Sequence, residues 1–355
     1  MKKLQKPSLV ITVIIAVCLA SLVLLIKLAG NPRNDRGGFR RLSIIPTVKL
    51  TNICNITGLQ ILDLCGTTNS SLFFYTSHLQ TILQTDNNLR NPHLIYLTID
   101  TSILKTLADT IIFATYIDSP YVTICLHNSA SILSGSLYET IGNVFQVNSK
   151  FNNPALLSRY SVMLKRSDSA GSNLLFSKVN FKLNKYLDEK NITAKLNDGG
   201  FTSDGKISFD RASGMVLYTY FYSNKMILFD TNLNVQSIMR TLDTFSQYQA
   251  SAINLVIDYK SAGYSFNKPP KLVNYCSVVY SNKIYINSLI RSDNENEITF
   301  IKNSVVDVYD FKKGGYIKSF YIPMYGGRKL HRFEIVEDQV LVFYQDVVAC
   351  YTLPD

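Results

Sequence analysis

The chain has 355 residues, with 36 Lys and Arg against 26 Asp and Glu, a formal net charge of +10 and an isoelectric point near 9.1. With 46% apolar and 17% charged residues it is too apolar for a disordered chain, and it lacks the repeats of collagen or a long coiled coil. The excess charge is local: Lys2, Lys3, Lys6, Lys27, Arg33, Arg36, Arg40 and Arg41 face Asp35 alone within residues 1–41, and the rest of the chain is almost neutral. The basic character therefore belongs to an N-terminal flank, and a nucleic-acid partner is not expected.

In chain order, the first element is SLVITVIIAVCLASLVLLI (8–26), 19 residues without a charge. As a helix it is about 28 Å long, the thickness of a bilayer core. A cleaved signal peptide has a shorter apolar region, roughly 7 to 15 residues, and here the run continues well past Cys18, which follows Val17 rather than a small residue. The reading is a short tail (1–7), a single transmembrane anchor (8–29), a basic solvated linker (30–41) and a body (42–355). The basic residues on the two sides of the span are nearly balanced and slightly favour a cytoplasmic body. The short three-lysine tail, however, resembles a signal anchor, and long domains translocate largely regardless of charge, so the body is read as extracytoplasmic, periplasmic.

Beyond the linker the pattern is β. Runs rich in Val, Ile, Tyr, Phe and Thr include 71–79, 93–99, 110–117, 121–127, 214–222, 253–259 and 276–290. Turn signals separate them: Asp204-Gly205, Ser223-Asn224, Ser281-Asn282, Lys313-Gly314-Gly315 and Gly326-Gly327. Helix is scarce, the best candidates being 154–163 and 236–248. Parallel α/β folds are disfavoured for want of long helices.

Three segments near the C-terminus superpose: 224–238, 303–323 and 345–353, with Phe229, Tyr309 and Tyr351 in register. Each is preceded by a strand and a hairpin. A unit of about 40 to 50 residues built this way is a propeller blade, so the body divides into about six blades, with seven the upper count. The fold class expected is an all-β β-propeller after one N-terminal transmembrane helix. The segment VVDVYDFKKGGYIKSFYIP, followed by LHRFEIVEDQVLVFYQDVVACYTL, resembles the final blades of NHL/YVTN-type six-bladed propellers, and is similar to membrane-anchored propeller-like proteins of Bacteroidota. The resemblance covers about 205 to 355. It implies no catalytic residue, and it departs from the WD type in that the chain has no Trp and no Asp or Arg recurring at one blade position.

Chemistry is harder to find. His78, His93, His127 and His331 stand singly, outside any ligand spacing, and read as half-buried strand or turn residues. No nucleophile elbow or phosphate loop is present. Cys125, Cys276 and Cys350 lie in apolar strands and read as small hydrophobes, while Cys54 and Cys65, eleven apart, are the candidate disulfide. Asp293, Glu295 and Glu297 in RSDNENE are the nearest approach to a metal site, with a solvated loop as the plainer reading. No catalytic residue and no cofactor is expected. The function expected is a membrane-anchored binding or scaffolding module with a protein partner. The alternative is a propeller-class enzyme, a lactonase-like hydrolase or a quinone-dependent dehydrogenase, with its site in the central channel.

Overall fold

A computed structural model describes residues 5–28, 37–56, 58–107, 111–258 and 261–354. The apolar stretch is helical, α1 (Gln5–Leu28), and its side chains, described from 11 to 25, are all exposed. Among the described residues no helix is long and apolar enough to cross a membrane.

Two strands, β1 (Ile44–Ile45) and β2 (Leu50–Asn55), lead into a ring of blades. Blade 1 is β3 (Ile61–Thr67), β4 (Ser71–Thr76), β5 (Thr81–Asp86) and β6 (His93–Tyr96). After the short helix α2 (Thr101–Leu104), blade 2 is β7 (Phe113–Asp118), β8 (Tyr121–Leu126), β9 (Ser131–Ser136) and β10 (Asn143–Gln146). Blade 3 is β11 (Phe151–Ser158), β12 (Ser161–Ser167), β13 (Leu174–Asn180) and β14 (Lys185–Lys190). Blade 4 is β15 (Gly205–Asp210), β16 (Met215–Tyr220), β17 (Lys225–Asp230) and β18 (Val235–Arg240). A two-stranded hairpin, β19 (Ala252–Asp258) and β20 (Ser261–Phe266), is inserted before blade 5. Blade 5 holds β21 (Asn274–Tyr280), β22 (Lys283–Ser288), then α3 (Glu297–Lys302), β23 (Asn303–Asp310) and β24 (Tyr316–Pro323). Blade 6 has β25 (Arg332–Val336), β26 (Gln339–Tyr344) and β27 (Val347–Thr352).

Every blade is an antiparallel meander whose first strand is the inner one. Blade 6 borrows its fourth strand from the start of the body: β2 pairs antiparallel with β27, Leu50 opposite Tyr351 and Asn55 opposite Val347. β1 adds a parallel fifth strand to β24. Among the described residues the result is a six-bladed β-propeller, the lower of the expected counts.

The core is divided among the blade junctions, which explains why the strands read as unbroken apolar runs and not as alternating ones. In β26, Val340, Val342 and Tyr344 pack toward blade 5, while Leu341 and Phe343 pack toward blade 1. In β4, Leu72 and Phe74 face blade 6 while Phe73 and Tyr75 face blade 2. Both faces of a middle strand are therefore buried, as in the strands of a sheet covered on two sides. Phe229, Tyr309 and Tyr351 all fall on third strands and are almost fully buried. Two of the buried tyrosines bond backbone through their hydroxyls: Tyr218 donates to the Ser203 carbonyl at 2.8 Å and Tyr344 to that of Pro323 at 2.6 Å.

Turn chemistry sets the registers. Ser281 and Asn282 both have positive φ, 49° and 60°, which matches the primed turn that the twist of a two-residue hairpin favours. A carboxylate recurs where the third strand ends. Asp86, Asp230 and Asp310 each accept backbone N–H bonds from residues two to four positions on, within 2.6–2.9 Å. The sequence expectation that no Asp recurs at a fixed blade position is thus corrected.

Other expectations are also corrected. Residues 154–163, expected as helix, form parts of β11 and β12. Register shifts between Asn152 and Ala155 and between Leu156 and Ser158 interrupt the strand alternation there, which left a pattern a helix could also satisfy. The start of 236–248 is in β18, and no helix is found over that stretch. The strand expected at 253–259 exists, in the inserted hairpin and not in a blade.

The end of the linker is also more than a solvated spacer. Gly37 donates to the Arg291 carbonyl at 2.9 Å, and Asp293 N–H donates to that of Phe39 at 2.8 Å. Arg41 is 1% exposed. Its guanidinium grips Asp307 at 2.7 and 3.0 Å, pairs with Glu295, and donates to the Ile290 carbonyl at 3.2 Å. Ser319 donates to Asp307 at 2.6 Å and Tyr321 to Glu295 at 2.6 Å, so both carboxylates are further satisfied.

Candidate functional site in the central channel

The six inner strands surround a solvent-open cavity of about 620 Å³. Each junction between them is closed differently. Between blades 1 and 2 the backbones meet at Gly66, where a Cβ would sit 2.4 Å from the Ile117 carbonyl oxygen. Tyr116 of blade 2 donates to the Pro154 carbonyl of blade 3, and Asn153 of blade 3 donates to the Gly205 carbonyl of blade 4 at 3.1 Å. Ser208 donates to the Ser277 carbonyl at 2.6 Å, which joins blade 4 to blade 5. Tyr275 meets Nδ1 of His331 at 3.0 Å between blades 5 and 6. Arg332 pairs with Asp63 and closes blade 6 onto blade 1.

Inside this ring four charged side chains converge from three blades. Asp63 and Arg332 satisfy one another, and the Asp63 Oδ1 also accepts the Leu64 N–H at 3.0 Å. Lys206 makes no ion pair and no hydrogen bond among the described residues, although it lines the cavity. Burial, followed by repulsion from Arg332, pulls its ammonium below the usual lysine value. Burial, followed by the charge of Asp63, pushes the Glu334 carboxyl up to about 8. Asp63 and Glu334 in turn act on the Lys206 charge, so that ammonium stands among two carboxyl groups and makes no hydrogen bond to either among the described residues. At the mouth Arg211 of blade 4 reaches Asp118 of blade 2 at 3.4 Å. That pair is exposed on both sides and contributes little to stability.

A second cavity, of about 520 Å³, opens on the other end of the ring between blades 5 and 6, where Tyr275, His331, Tyr344 and Leu289 line it. Burial lowers His331, and its contact with the Tyr275 hydroxyl accounts for one ring nitrogen.

The residues singled out in the sequence lie elsewhere. Asp293 is exposed, Glu295 is buried against Arg41, and Glu297 pairs with Arg291 at 3.3 Å, so the three carboxylates share no partner. Among the described residues no group of three His, Cys, Asp or Glu could hold a metal ion. Cys54 and Cys65 are free thiols: Cys54 packs between blades 6 and 1 from an outermost strand, while Cys65 packs between blades 1 and 2 from an innermost one. Cys125 and Cys276 are buried in their strands, and burial pushes the Cys276 thiol up to about 12. His127 lies against the Phe151 ring, 5.5 Å between centroids, and burial lowers it to about 4. The four channel residues went unnoticed because one or two charges per inner strand, spread from Asp63 to Glu334, form no motif. The available signal was a charge interrupting a short apolar strand, as in ILDL and FEIV.

No family model and no curated protein matches the chain. Among solved structures it is similar to a member of the DUF4221 family from Bacteroides vulgatus, at 11% identity and a TM-score of 0.55, over 86% of this chain and 97% of that one. It is also similar to the WD40 β-propeller domain of Doa1, at 9% identity and a TM-score of 0.46, over 87% and 97% of the two chains. At such identities the likeness concerns the fold alone, an all-β propeller.

Proposed function

We propose that the chain is a membrane-anchored, extracytoplasmic β-propeller of the NHL/YVTN type that works as a binding module and takes an acidic segment of a protein partner into its channel. The observation that carries the binding site is Lys206, which lines the cavity and makes no ion pair among the described residues, although the charges of Asp63 and Glu334 act on it, while its neighbour Arg332 is already paired. A partner carboxylate placed there would meet a charge that has already lost much of its water, where a charge-assisted hydrogen bond is strong. The protonated Glu334 would donate a second bond. The anchor is supported by the 19 uncharged residues of 8–26 and by their helical form in α1, whose side chains from 11 to 25 are all exposed. A helix hydrophobic all round is stable when lipid or protein covers it.

The binding test is calorimetric titration of the detergent-solubilised full chain with a hexaglutamate peptide. Heat is expected with the native chain and none with Lys206→Met, whose melting point should not fall because no ion pair is broken. Equal binding by both chains would remove the channel as the site. The anchor is tested by mass spectrometry of the chain recovered from membranes: a mature N-terminus beyond residue 28 refutes it.

A further inference from the structure

The exit of the anchor lies beside an unusual surface. Residues 29–36 separate α1 from Gly37, and even fully extended they reach no more than about 30 Å. Gly37 is fixed to Arg291, and six residues later Glu297 begins α3. On α3, Ile298 is 63% and Ile301 55% exposed, although nothing in the helix is buried against the blade. The neighbouring loop completes the surface. Met324 N–H donates to the Lys302 carbonyl at 3.2 Å, and Lys329 donates to that of Phe300 at 2.9 Å. Tyr325, Arg328, Lys329 and Lys302 are all exposed there. The facing acids are Glu297, paired with Arg291, Asp346, paired with Arg328, and the exposed Asp293.

We propose that this patch rests on an anionic bilayer surface, with Ile298, Ile301 and Tyr325 entering the headgroup boundary and Lys302 and Lys329 meeting lipid phosphates. The inference rests on the reading of α1 as an anchor and extends it. Exposed aliphatic side chains beside an interfacial aromatic and basic residues form the pattern of a surface that lies in the membrane interface. A connection of eight residues keeps the patch within about 30 Å of the end of α1. The orientation that follows is specific. α3 lies between β22 and β23, and the 324–329 loop between β24 and β25, so both leave the opposite ends of the strands from the β7–β8 and β15–β16 turns at the channel mouth. The channel therefore opens away from the membrane, toward soluble partners.

The chain contains no tryptophan, so a single introduced one reports without background. Three full-length variants are reconstituted into phosphatidylglycerol–phosphatidylcholine vesicles with and without brominated acyl chains. Leu22→Trp probes the span, Ile301→Trp the patch, and Leu183→Trp the β13–β14 turn on the channel-mouth face. Quenching and a blue shift are expected for the first two and neither for the third. Tyr325→Trp reads the same surface if Ile301→Trp folds poorly, and Lys302→Gln with Lys329→Gln should reduce quenching at the patch. Quenching at Leu22→Trp alone overturns the docking while leaving the anchor in place. No quenching at Leu22→Trp removes the anchor and this inference together, and equal quenching at positions 183 and 301 overturns the orientation.

Discussion

Replacing Arg41 by Met tests whether the segment before the ring belongs to the folded body. The side chain is 1% exposed and makes four hydrogen bonds, three of them to the carboxylates of Glu295 and Asp307. The carboxylate of Glu295 is itself out of contact with water, and that of Asp307 nearly so. Methionine fills a similar volume but leaves two buried anions without a counter-charge. Removing one member of a buried ion pair costs about 3–5 kcal/mol, most of it from the charge left behind. Arg41→Lys keeps the charge but loses the two-point grip on Asp307, and should fall between the native chain and Met. Urea unfolding of the full chain in detergent, followed by tyrosine fluorescence, gives the three midpoints. A loss below about 1 kcal/mol for Arg41→Met, the range of an exposed pair, would show that the guanidinium sits in water and that residues 37–41 are linker after all.

Three further outcomes are expected. Because Glu334 is raised from 4.5 to about 8 in the fold, the native state holds a proton that the unfolded chain releases. Its contribution is complete below pH 4.5 and is lost as pH rises toward 8, so Glu334→Gln should gain stability relative to the native chain across that window in melts at stepped pH; a flat difference refutes the placement. Gly66→Ala should lower stability by about 1–3 kcal/mol, since the new methyl meets the Ile117 carbonyl and the two inner strands must part; an unchanged melting point would deny the close approach. Alkylation counted by mass should find the five cysteines of the body unreactive in the native state and all five reactive once unfolded without reductant, whereas three reactive thiols would show a bridge of Cys54 to Cys65.

How far the sequence could be read followed the kind of burial involved. Third strands of blades 4 to 6 lie between two hydrophobic junctions, so Phe229, Tyr309 and Tyr351 aligned and the repeat could be seen. In blade 3 the outermost strand, KYLDEK, faces water at every second residue, and β11 carries two register shifts, so the same architecture left a fainter trace. The linker was misjudged at Arg41 because a basic residue among other basic residues gives no sign that two acids, more than 250 residues later, will enclose it. The channel was invisible for the same reason: Asp63, Lys206, Arg332 and Glu334 meet only because the ring closes. The carboxylates of 293–297 stood out locally, yet local density brought them no common partner.

The borrowed strand that seals blade 6 has a kinetic meaning. β2 and β27 lie at opposite ends of the body, so their pairing is the most non-local contact in the ring and the slowest kind to form. Until it forms, β27 presents a bare edge to which a strand of another chain can add. β2 precedes every blade strand in the chain, so during synthesis it is made first and its partner β27 last. The ring can close only when the strand made last reaches the strand made first, so both ends of the body must be in place before blade 6 is sealed.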